Sequence, residues 1–78
     1  MKLSFQEATL DTDSPDREAT LVFRDGKLLA VLCCLSDIHG DLAGEWFVEA
    51  LFARAPKNQP IAFKDLTLFE EWIVSELR

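Results

Sequence analysis

The sequence predicts a small α+β domain: an antiparallel meander of three or four strands with one C-terminal amphipathic helix packed on one face. Three observations predict it. Asp25-Gly26 sits between two β-rich runs, which is the composition of a two-residue type I′ hairpin whose central residues need positive φ. Phe69, Trp72, Ile73 and Leu77 recur at helical spacing near the C-terminus, the apolar stripe of an amphipathic helix. A chain of 78 residues buries only about 60% of its unfolded surface and supports one core, so residues 1–78 are read as a single domain.

The elements follow in order. Leu3 to Leu10 reads as a strand with Leu3 and Phe5 on one side and Ser4 and Gln6 on the other. The run Asp-Thr-Asp-Ser-Pro-Asp-Arg after it is a polar turn cluster, because Pro15 cannot sit in a central strand. Asp11, Asp13 and Asp16 there lack the glycine and the distal glutamate of a calcium loop, so an acidic hairpin loop is expected.

The Asp25-Gly26 turn then sets a register. With Arg24 opposite Lys27, Phe23 is expected to face Leu28, Val22 to face Leu29, Leu21 to face Ala30, Thr20 to face Val31 and Ala19 to face Leu32. One side of this hairpin carries Ala19, Leu21, Phe23, Leu28, Ala30, Leu32 and Cys34 and is wholly apolar. The other carries Glu18, Thr20, Val22, Arg24, Lys27, Leu29, Val31, Cys33 and Leu35, polar along the first strand and apolar along the second.

Leu42 to Arg54 fits two templates. A helix would align Leu42, Ala43, Trp46, Phe47, Ala50 and Leu51. A strand beginning after Gly44 is preferred, because glycine in the first helical turns costs about 1 kcal/mol and Trp46-Phe47-Val48 has high β propensity. Pro56 to Pro60 reads as a linker and Ile61 to Phe63 as a short apolar lead into the helix. That helix runs from about Leu66 to Leu77, with Thr67 and Glu70 as a capping box and its stripe set against the wholly apolar face of the hairpin.

Composition narrows the partners. Eight basic against fourteen acidic side chains give a net charge of −6, with no basic stripe, which argues against nucleic acid and anionic membranes. The opening residues have no apolar signal core, and the longest apolar run, Leu28 to Leu35, falls far short of the about 20 residues that span a bilayer. A soluble cytoplasmic protein is the expectation. Cys33 and Cys34, adjacent rather than spaced Cys-x-x-Cys, read as reduced small hydrophobes.

One stretch carries metal-ligand residue types. The apolar run ends in Ser36-Asp37-Ile38-His39-Gly40-Asp41, and a strand leading into Asp-x-His resembles the first motif of the calcineurin-like metallophosphoesterases. That resemblance implies a two-metal site with a bridging aspartate, an Asn-His segment and further histidines downstream. Two-metal chemistry needs ions about 4 Å apart in a full ligand shell. Here Asp41 follows too closely to be the bridging residue, His39 is the single histidine, and Asn58 precedes Gln59. The phosphoesterase reading is therefore rejected on ligand count. A looser divalent-ion site remains open to Asp37, His39 and Asp41, which an extended loop would place on one side. Ser36, Asp37 and His39 are too nearly contiguous for a catalytic triad, and no glycine-rich phosphate loop occurs. No catalytic residue and no cofactor are predicted.

The functional expectation comes from the sheet. One helix covers one face, while Leu29, Val31, Cys33 and Leu35, with Phe47 from the next strand, line the other. An antiparallel sheet leaves a face wet only when that face is polar. The sequence thus predicts a non-enzymatic interaction module that forms a homodimer through these residues. The alternative is a metal- or small-ligand-binding accessory protein using Asp37, His39 and Asp41.

Overall fold

A computed structural model describes residues 2–53, 60 and 62–77. Five antiparallel strands follow one another in sheet order, β1 Leu3–Thr9, β2 Glu18–Arg24, β3 Lys27–Cys34, β4 Trp46–Leu51 and β5 Ala62–Phe63, before helix α1, Leu66–Glu76. The meander and its C-terminal helix are as the sequence predicts, with more strands than the three or four expected. The apolar lead before the helix supplies the extra one: Ala62 and Phe63 pair with Phe47 and Trp46. The segment around Trp46-Phe47-Val48 is a strand, not a second helix. The linker expected at Pro56 to Pro60 lies outside the described residues apart from Pro60.

The hairpin turn forms as its composition requires. Asp25 and Gly26 have φ of 52° and 83°, both positive as a type I′ turn demands. Asp25 also anchors β1: its carboxylate accepts the Lys2 N–H at 3.0 Å, and its own N–H donates to the Lys2 carbonyl at 2.8 Å.

Two steps beyond the turn the expected register breaks. Arg24 pairs with Lys27 and Phe23 with Leu28, but Val22 then pairs with Ala30, Leu21 with Val31, Thr20 with Leu32 and Ala19 with Cys33. Leu29 is the extra residue of a β-bulge, where two residues on one strand oppose one on its neighbour. A one-residue slip exchanges the faces of everything beyond it. The side of β2 that meets the helix is therefore Val22 and Thr20, not Leu21 and Ala19. Leu29 itself, expected at an interface, is 4% exposed and belongs to the core. A second irregularity in β4 leaves Glu49 over, so Leu32 pairs with Val48 but Val31 with Ala50.

The core lies between the sheet and α1. Val22, Leu29, Ala30, Leu32, Val48 and Phe63 meet Phe69 and Ile73 from the helix. Phe63 ties the layers together, standing edge-on to Phe69 with ring centroids 5.4 Å apart and 5.5 Å from Trp72. Such aromatic pairs add about 0.5–1.5 kcal/mol to the burial of their area. The cap of α1 differs from expectation. Asp65, not Thr67, is the N-cap, and its carboxylate accepts the Leu68 N–H at 2.8 Å. No helix among the described residues is long and apolar enough to cross a membrane.

Two substitutions test this layer. Phe69→Ala empties the best-buried aromatic position and should cost about 3–5 kcal/mol, a large share of the stability of so small a domain. Asp65→Ala should cost about 1 kcal/mol, whereas Thr67→Ala should stay within about 0.5 kcal/mol. Urea denaturation of the three variants measures all of these, and the reverse order for the two cap positions would restore the Thr67 assignment.

Candidate functional site

Alternate connections of a meander emerge at the same end of the sheet. Residues 10–17, between β1 and β2, are for that reason neighbours of residues 35–45, between β3 and β4. Asp16 joins them. One carboxylate oxygen accepts the Ser36 N–H at 2.8 Å and the other lies 2.7 Å from His39 Nε2. Its main-chain carbonyl accepts the Cys33 thiol at 3.2 Å. Ser14 braces the same turn, its hydroxyl accepting the Asp16 N–H at 3.1 Å and its carbonyl the Arg17 Nε–H at 3.0 Å.

The Ser36 hydroxyl, the His39 ring and the Ser36 N–H, in that order, favour the ionised Asp16 carboxyl and hold it at about 2, below its ordinary 3.8. The hydroxyl is buried but meets no partner at hydrogen-bonding geometry. The N–H and the imidazole are therefore the contacts to which we assign the effect.

The two connections wall a cleft of about 700 Å³ on the sheet face opposite α1. Cys33, Leu35, Phe47 and Ala62 form its floor, Leu10 and Leu42 its apolar walls, and Asp11, Asp16, His39 and Glu49 its polar rim. The floor follows from the register, since Cys33, Phe47 and Ala62 are consecutive partners across β3, β4 and β5. A second concavity of about 510 Å³ lies between β1, β2 and the start of α1, and its ionisable groups are the carboxylates Glu7 and Glu18 alone. The first cleft, with acid, imidazole and thiol together, is the chemically richer one.

The structure separates the residues that the sequence grouped. Asp37, His39 and Asp41 do not converge, and among the described residues no group of three His, Cys, Asp or Glu side chains is placed to hold a metal ion. The physical reason is local. Asp37–Leu42 is a pair of 3₁₀ turns broken at Gly40, with φ 60° and ψ −118°, instead of an extended loop with alternating sides. His39 turns to Asp16 across the cleft. The His39 N–H donates to the Ser36 carbonyl at 3.1 Å, but the Ser36 hydroxyl makes no hydrogen bond to the imidazole, so no nucleophile-and-base pair forms there. Burial pushes the Cys33 thiol up, helped by the Asp16 and Glu49 carboxylates, and burial with Glu18 and Asp16 does the same for Cys34. Both cysteines are free thiols, and a raised pKa is the opposite of nucleophile activation.

The predicted interface residues divide. Leu29 is in the core through the bulge. Cys33 is 3% exposed, roofed by the Asp16 loop. Leu35 and Phe47 lie on the cleft floor, and Val31 stands beyond the cleft on the open part of the face. Asp16 is the site residue that motif reading missed. The signal that could have found it is topological: two loops at one end of a meander, one rich in carboxylates and one holding the single histidine.

No protein-family model, no curated protein and no solved structure significantly matches this chain. The chain stands as a small compact α+β domain with an acid-rimmed apolar cleft.

The Asp16 clasp predicts an acid response. Its folded pKa lies below its ordinary value, so the ionised form stabilises the fold. That contribution is fully present above pH 3.8 and is lost as pH falls through about 2. Asp16→Asn should lower the denaturation midpoint at neutral pH, and its deficit should shrink as pH falls across that window. Denaturant titrations from pH 7 to pH 2 check this, and a deficit independent of pH would assign the Asp16 contribution to shape rather than charge.

Proposed function

We propose that this chain is a non-enzymatic interaction domain that self-associates through the sheet face opposite α1. The observation that carries the reading is the register of that face. Leu21, Val31 and Ala50 are consecutive partners across three strands, and Phe23 pairs with Leu28 in the adjoining row, beside Phe52 at the end of β4. All six are apolar. Leu28 is 40% exposed and Phe52 64%, with the other four half-buried. On β1 the same rows end in Gln6 and Ser4, so the patch has an apolar centre and a polar border, the anatomy of a protein interface.

Size is consistent with this reading. The molecule measures 35 × 24 × 19 Å along its principal axes, and its broad side is comparable to the roughly 800 Å² per partner of a stable interface. The interface we propose keeps Val31 at its centre, replaces Leu29 and Cys33 by Leu21, Leu28 and Phe52, and uses Leu35 and Phe47 only where the cleft opens. The net charge of −6 supports a protein partner over nucleic acid or an anionic membrane. Neither the cleft nor its rim supplies a ligand shell or an activated nucleophile, which supports a binding role over a catalytic one.

Sedimentation velocity at high micromolar concentration should show a dimer. Leu28→Glu and Val31→Asp should each shift it to monomer with the far-UV spectrum kept, since both side chains lie outside the core. A strict monomer for the unaltered chain at that concentration would remove the proposal.

A further inference from the structure

The cleft on the second face sets one sign of charge around an apolar floor. The carboxylates of Asp11, Asp16 and Glu49 line it, and no lysine or arginine does so among the described residues. Arg17 and Lys64 stand at the same end of the sheet, but Arg17 turns its Nε–H to the Ser14 carbonyl and Lys64 lies outside the lining. His39 is engaged by Asp16 at 2.7 Å. Asp11 and Glu49 are left with no hydrogen-bond or ion-pair partner among the described residues.

Glu49 reaches the cleft through the second irregularity of the sheet. Regular pairing from Cys33–Phe47 and Leu32–Val48 would set Glu49 opposite Val31, in the middle of an apolar row. The bulge gives that place to Ala50 and leaves Glu49 unpaired in the ladder, on the rim above Phe47. Bulges of this kind commonly accompany functional sites.

We infer that the cleft binds a small organic ammonium ion, a primary amine whose aliphatic or aromatic body lies on Leu35, Phe47 and Ala62 while its charged nitrogen meets Asp11 and Glu49. This binding is independent of the self-association proposed above. The chemistry selects the class. A neutral body covering the rim would strip water from ionised carboxylates and give nothing back. An anion would be repelled by all three carboxylates. A divalent metal ion would find no group of three ligands placed to hold it among the described residues. An ammonium replaces the lost water with charge-assisted hydrogen bonds, and its apolar body covers the floor and Leu42, which stands 48% exposed on one wall. The volume of about 700 Å³ lies within the range of small-molecule sites.

Phenethylamine, phenethyl alcohol and hydrocinnamate share one body and differ in charge, so they separate charge from shape. Titrated at neutral pH and low salt into the isotope-labelled full chain, the amine should shift the amide signals of Cys33, Phe47 and Glu49 saturably. It should bind about tenfold more tightly than the alcohol, and hydrocinnamate should not bind. Asp11→Asn and Glu49→Gln, both exposed and outside the core, should each weaken the amine about threefold and leave the alcohol unchanged. Glu71→Gln, on the exposed side of α1, should alter neither. No saturable shift at the cleft with the amine overturns the site. Equal binding of amine and alcohol, or an amine affinity indifferent to both rim substitutions, overturns the ammonium assignment. The amine and alcohol are compared on the unaltered chain, so that arm holds whatever the substitutions do to folding.

Discussion

One extra residue in β3 decides which side chains of this molecule are core and which are surface. The type I′ turn at Asp25-Gly26 fixes the hairpin at its tip, and from there strict alternation would send Leu21 and Ala19 toward the helix. The bulge at Leu29 intervenes after two pairs, so that Val22 meets Ala30 and Thr20 meets Leu32. The pairing beyond it changes while Ala30 and Leu32 stay toward the helix, so it is β2 that is reassigned. Val22 joins Ala30 and Leu32, fully buried against Phe69 and Ile73, and Leu21 joins Val31 on the open face. The bulge also folds Leu29 into the core, adding a large side chain to an interior that a chain of this length can scarcely fill.

The opposite end of the sheet is organised by a polar interaction instead. Asp16 spans two connections that are far apart in sequence, holding Ser36 and His39 with its carboxylate and Cys33 with its carbonyl. Charge-assisted bonds of this kind are the stronger class, and here they lower one loop onto the sheet. The loop covers Cys33 and turns the end of the second face into a cleft. The apolar half nearer the turn receives no such cover from the described residues. One face of the sheet therefore has two characters, separated by a single register step.

What the sequence made legible follows from which interactions are local. The turn, the strands and the amphipathic helix are encoded within a few residues of themselves, and all of them form where alternation and helical spacing place them. The bulge has no such signature: Leu28, Leu29 and Ala30 are equally apolar, so pattern alone cannot tell which residue is left unpaired. The cap is misleading in the sequence because Thr67 and Glu70 satisfy the capping-box spacing, while Asp65 caps with its own carboxylate two residues earlier. Ala62-Phe63 was too short to show a period, and it becomes a strand because Trp46 and Phe47 leave an edge to pair. At the site, Asp37, His39 and Asp41 were grouped by closeness in sequence, yet the partner of His39 is 23 residues away. Only the order of the strands brings it near.

The edges of the sheet explain why association would run through a face. A strand with an unpaired edge is a template for open-ended addition of further chains. β1 is such an edge, but Ser4, Gln6, Glu7 and Thr9 make four of its seven positions polar or charged. β5 is two residues long and offers little ladder to extend. Growth by strand addition is therefore discouraged on both sides. The apolar rows on the second face can instead be buried by a two-fold contact that uses them up completely, leaving nothing to propagate. For the self-association proposed above, blunted edges and an apolar half-face favour closed pairing over polymer formation.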